Sequence, residues 1–96
     1  NLTFFPGVKE LAKEGIVPGG TKKNLLHAKQ FTSFSDSLSE FERLMVADAQ
    51  TSGGLLISLP QDNAKEFLEY YNNISPIPAV RIGSVHARNN SLITIS

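Results

Sequence analysis

The sequence predicts an α+β or mixed α/β layer structure in a single domain over residues 1–96. Three observations carry that prediction. Apolar stripes at helical spacing alternate along the chain with short extended runs. The run Leu55-Leu56-Ile57-Ser58-Leu59 has no polar alternation, as in a strand covered on both faces. The chain then ends in alternating segments joined by a hairpin turn. Interleaved helices and strands of this kind bury their apolar faces as packed layers. With 96 residues, 41% of them hydrophobic and 19% charged, there is material for one modest core and no more.

Taken in order, Val8 to Glu14 has Val8, Leu11 and Ala12 on one side and Lys9, Lys13 and Glu14 on the other, which predicts a helix of about two turns. Gly15 suits its C′ position. Ile16-Val17-Pro18-Gly19-Gly20 is a connection, and Thr21 is placed to N-cap a helix over Lys22 to Gln30. Phe31 to Phe34 is expected to be extended. Ser37 and Glu40 have capping-box spacing at the start of a helix over Leu38 to Ala47, whose stripe is Leu38, Phe41, Leu44 and Met45. Ala49 to Gly54 is a loop by composition, and Leu55 to Leu59 is predicted to be a central, buried strand. The clearest helix is Gln61 to Asn73, with Ala64, Phe67, Leu68 and Tyr71 on its inner face. Ala79 to Ala87 and Leu92 to Ile95 are predicted to pair antiparallel across the turn Arg88-Asn89-Asn90.

Composition excludes several classes. Nine Lys+Arg balance nine Asp+Glu, with no basic run, so nucleic acid is not an expected partner. The absence of cysteine removes disulfides, thiolate chemistry and Cys-based zinc sites. No apolar run approaches the roughly 18 residues of a membrane span, and the first residues do not read as a secretory signal. A cytoplasmic location without membrane contact is the expectation. The chain does not begin with Met and is expected to be a piece of a longer protein.

The candidate chemistry lies in two glycine-rich strings. Pro18-Gly19-Gly20-Thr21 leads into a helix start carrying Lys22 and Lys23, where free amides, a hydroxyl and two ammonium groups suit a phosphate. A tight turn with a capping Thr and two solvated lysines is the competing reading. Thr51-Ser52-Gly53-Gly54 offers hydroxyls and a backbone open to close approach, by a ligand or equally by a packed helix. Asp48 reads as a solvated residue at a helix end, because no second carboxylate or histidine stands at ligand spacing. His27 and His86 fit no catalytic arrangement and read as structural. No residue is assigned as catalytic and none as a metal ligand.

Together, Pro18-Gly19-Gly20-Thr21-Lys22-Lys23-Asn24-Leu25 and Asp48-Ala49-Gln50-Thr51-Ser52-Gly53-Gly54-Leu55-Leu56-Ile57 resemble the two signatures of the C-terminal domain of the selenide, water dikinase (selenophosphate synthetase) family. The family pattern is PGGTxxN followed by DPQTSGGLL, and Val80-Arg81-Ile82-Gly83-Ser84-Val85 resembles its closing strand. One departure is Ala49, where the family usually has Pro. The resemblance implies an α+β fold, a mixed β-sheet with helices on its faces, the C-terminal domain fold of the superfamily related to aminoimidazole ribonucleotide synthetase. It implies a two-domain, dimeric, ATP-using enzyme that converts ATP, selenide and water to selenophosphate, AMP and phosphate. The catalytic Cys or selenocysteine, the Lys and the Asp residues that bind Mg2+ are then expected in a missing N-terminal ATP-binding domain, so that the 96 residues alone are inactive. Gly19, Gly20, Thr21, Asn24, Thr51, Ser52, Gly53 and Gly54 become the expected lining of an interdomain cleft facing ATP. A stand-alone binding or regulatory domain, or a domain of another ATP-using member of the superfamily, are the alternatives.

Overall fold

The computed structural model describes residues 2–88 and 90–96. Among them are four helices and two short strands, an α+β architecture: α1 (Val8–Lys13), α2 (Gly19–Ala28), β1 (Thr32–Phe34), α3 (Glu40–Val46), α4 (Gln61–Ile74) and β2 (Ile93–Ile95). They fall into two compact units, one built from Phe4–Gly53 with Ala87–Ser96, the other from Gly54–His86 with the N-terminal residues before Phe4.

In the first unit α3 packs against both α1 and α2. Each helix contributes to one small core: Ala12 from α1, Thr21 and Leu25 from α2, and Met45 from α3 are buried. α1 ends as its sequence predicts. Gly15 takes φ +77°, and the amides of Gly15 and Ile16 donate to the carbonyls of Ala12 (3.1 Å) and Leu11 (2.9 Å), so a left-handed residue closes the last turn. Above α3, the Lys9 ammonium lies 3.5 Å from the Glu42 carboxylate, and Lys9 and Lys13 stand 5.8 and 5.5 Å from the centre of the Phe41 ring.

α3 starts later than Leu38. Its N-cap is Ser39, whose amide (3.0 Å) and hydroxyl (2.6 Å) both donate to the Glu42 carboxylate. The string Ser37-Leu38-Ser39-Glu40-Phe41-Glu42 offers two overlapping Ser-x-x-Glu registers, and the second forms. Ser37 is committed elsewhere, its amide donating to the Ser35 hydroxyl at 3.2 Å in a turn of its own. Those two hydrogen bonds and the nearby Lys9 hold the Glu42 carboxyl below its usual range.

Among the described residues the sheet is two-stranded and parallel, with Thr32, Ser33 and Phe34 opposite Ile93, Thr94 and Ile95. The ladder is extended by Leu92 donating to the Phe31 carbonyl (2.9 Å) and Ser35 to the Ile95 carbonyl (2.8 Å). This pairing replaces the antiparallel hairpin predicted for Ala79 to Ile95, because β2 takes β1 as its neighbour. Residues 79–86 are left without a ladder and form no strand. Asn89, in the predicted turn, lies outside the described residues.

In the second unit α4 matches its predicted span to within one residue, and Ala64, Phe67, Leu68 and Tyr71 are its partly buried face. The Phe67 and Tyr71 rings stack with centroids 5.7 Å apart. After the helix, Asn72 clamps the returning chain at Ala79, accepting its amide at 2.7 Å and donating to its carbonyl at 3.3 Å. The predicted buried strand Leu55 to Leu59 is not formed. Leu55 is 92% and Leu56 81% exposed, and among the described residues no neighbouring strand supplies the hydrogen bonds that would define one.

Candidate functional site

The two glycine-rich strings meet in the first unit, and the meeting starts with where α2 begins. Pro18, at φ −57° and ψ 145°, is the N-cap, so Gly19, Gly20 and Thr21 form the first helical turn. Thr21 is therefore not an N-cap as expected. Its amide donates to the Pro18 carbonyl at 3.0 Å, and no side chain caps the helix start. Proline suits the entry because the amide it lacks would have no partner there.

Thr21 is 1% exposed, and its hydroxyl both donates and accepts a hydrogen bond. Thr21 Oγ1 donates to Asp48 Oδ1 at 3.0 Å and accepts the Ala49 amide at 3.2 Å, across a sequence separation of 27 to 28 residues. One turn along α2, Asn24 Nδ2 donates to the Ala47 carbonyl at 3.2 Å. Gly20 completes the seat: a Cβ at that position would stand 3.0 Å from the Ala49 Cβ, closer than ordinary contact. Gly20, Thr21 and Asn24 share the face of α2 that holds residues 47–49.

The remaining predicted site residues have a different character. Gly19 has open space where a side chain would be, Thr51 and Ser52 form an exposed bend one residue beyond the seated segment, and the exposed Gly53 follows it. Gly53 was expected to pack closely against a helix; a Cβ there meets only the flexible end of Gln50, at 3.1 Å. Gly54 opens the second unit, is exposed and also has free space. Lys22 and Lys23 are solvent-facing on α2. Among the described residues, no group of three or more His, Cys, Asp or Glu stands together to hold a metal ion, and no helix is long and apolar enough to cross a membrane. His27 packs edge-on against Phe31 at 5.4 Å, and the His86 ring lies 3.0 Å from the Ser84 hydroxyl.

Comparison with known proteins joins these two strings to one family. A selenide, water dikinase of Aliarcobacter butzleri is 37% identical over 96 residues, all of this chain and 28% of the relative. One from Myxococcus xanthus is 42% identical over 86 residues, 90% of this chain and 24% of the relative. The chain belongs to the selenide, water dikinase family. It spans about a quarter of the length of these relatives. A selenide, water dikinase of Campylobacter jejuni is 44% identical over 68 residues, 71% of this chain and 19% of the relative. No family model and no solved structure matches the chain.

Within this member of the selenide, water dikinase family, Asp48 is the residue that the sequence reading passed over. Read alone it is a solvated carboxylate at a helix end, and it is indeed exposed. A threonine in the first turn of a helix that is not its cap needs another hydrogen-bond partner once buried, and Asp48 is that partner. The Ala49 departure also has a structural consequence. The amide that Ala49 gives to Thr21 is one that a proline could not supply.

Proposed function

We infer that the chain is the C-terminal domain of a selenide, water dikinase, an enzyme that converts ATP, selenide and water to selenophosphate, AMP and phosphate. The observation that carries this reading is the 37% identity to the Aliarcobacter butzleri relative over an alignment that spans all 96 residues of the chain. The 96 residues act as one domain, with the fold of the superfamily related to aminoimidazole ribonucleotide synthetase. The N-terminal part of the protein supplies the ATP site, the Mg2+ ligands and the catalytic groups, and the working form is a cytoplasmic homodimer.

The domain forms one wall of the cleft. Gly19 and the run Thr51, Ser52 and Gly53 face the nucleotide phosphates, and Gly20, Thr21 and Asn24 keep that wall in place. The exposed backbone and hydroxyl groups of this run, with the solvent-facing Lys22 and Lys23 of α2, are donors of the kind that a polyphosphate takes. The open apolar run at Leu55 and Leu56 also supports a domain that works within a larger protein, since surfaces of this kind seldom stay uncovered.

The test is steady-state AMP formation by the intact protein carrying Ser52→Ala. Ser52 is exposed, so its loss should move stability by no more than about 0.5 kcal/mol. The KM for ATP should rise several-fold in selenide-dependent turnover. An unchanged KM and kcat would remove Ser52 from the cleft wall, and absence of selenide-dependent AMP formation in the wild type would refute the activity.

A further inference from the structure

We propose that Asp48 and Thr21 are a positioning pair that sets the bend at Thr51 and Ser52 for its role in nucleotide binding, and that neither touches the nucleotide. The proposal rests on the cleft reading above and adds Asp48, a residue which that reading does not use. Thr21 is the buried polar residue of the core, and its single hydroxyl serves as donor to Asp48 and acceptor from Ala49. A hydroxyl has one proton and two lone pairs, so both bonds form without competition. Asp48 Oδ1 and the Ala49 amide are consecutive along the chain, so one side chain on a rigid helix fixes both the side chain and the backbone at the root of the loop.

Two more contacts make the anchorage directional. Asn24 holds the Ala47 carbonyl from one turn further along α2, and Gly20 lets Ala49 come within the distance a side chain would occupy. Residues 47–49 are thus held at three consecutive positions, and the exposed bend begins one residue beyond that seat. The geometry also separates the roles. A buried hydroxyl whose only proton goes to Asp48 has none to donate to a phosphate oxygen, whereas Thr51 and Ser52, exposed beyond the seat, do.

The experiment compares Thr21→Val, Thr21→Ser, Asp48→Ala and Asp48→Asn in the intact enzyme, by residue-resolved hydrogen exchange without nucleotide and by steady-state kinetics in ATP. Thr21→Val keeps the shape and removes both bonds. Exchange at the Ala49 amide should quicken by roughly tenfold, the scale of a lost hydrogen bond, while amides in the middle of α3 keep their rates. The KM for ATP should rise with kcat of the folded enzyme within about twofold. Thr21→Ser should restore both readouts. Asp48→Asn retains an oxygen acceptor and should behave as wild type, whereas Asp48→Ala should follow Thr21→Val. Unchanged exchange at Ala49 in Thr21→Val would overturn the pair, as would a Thr21→Ser enzyme as impaired as Thr21→Val. Faster exchange throughout α2 and α3, with lower kcat at constant KM, would also overturn it, because that pattern is loss of fold. If the wild type does not turn over ATP, the cleft reading fails, and the Ala49 exchange decides the Thr21–Asp48 pair by itself.

Discussion

Thr21 occupies a place where an apolar side chain would pack as well and would do less. A valine has the same shape, but it could not hydrogen-bond Asp48 and Ala49. The core around it is small, which makes its apolar members sensitive. Leu25 is 4% exposed and its neighbour Leu26 is 71% exposed, so the two leucines form an internal control. Leu25→Ala should cost about 2–5 kcal/mol in urea denaturation, the range for truncation in a packed core. Leu26→Ala should stay within about 0.5 kcal/mol. Equal effects from the two would mean that α2 presents a different face to α3.

At the scale of elements, the Ser39–Glu42 box and the Lys9 contact make the α1–α3 packing pH-dependent. The Glu42 carboxyl titrates lower in the folded chain than in the unfolded one, chiefly because of the two Ser39 hydrogen bonds. Its stabilising contribution is therefore complete above the ordinary carboxylate range and is lost as pH falls through the depressed folded value. The difference in Tm between wild type and Glu42→Gln should be constant near neutrality and shrink towards zero in acid. A difference that persists in acid would assign the effect to shape instead of charge.

The same elements show what the sequence could and could not reveal. The α4 stripe and the Gly15 stop are local patterns, and both are found where spacing and chirality put them. The α3 start involved two equivalent Ser-x-x-Glu registers, and only the competing Ser35–Ser37 turn decides between them. The β1–β2 pair joins Thr32 to Ile93, and no nearby residue encodes that choice over a hairpin. The candidate site follows the same division. Its residues were visible as two strings, but that Gly20, Thr21 and Asn24 grip one string with the other depends on contacts more than twenty residues apart in sequence.

For the molecule as a whole, the proposed activity belongs to a protein longer than these 96 residues. The chain matches about a quarter of its relatives' length, and its second unit leaves Leu55 and Leu56 open to solvent. Both facts suit a domain that completes a cleft. The most direct measurement is 31P NMR of the intact protein incubated with ATP, Mg2+ and selenide. The account predicts a selenophosphate resonance coupled to selenium, growing with AMP and phosphate and absent when selenide is withheld. ATP consumed to ADP at the same rate with and without selenide, with no phosphorus–selenium signal, would contradict it.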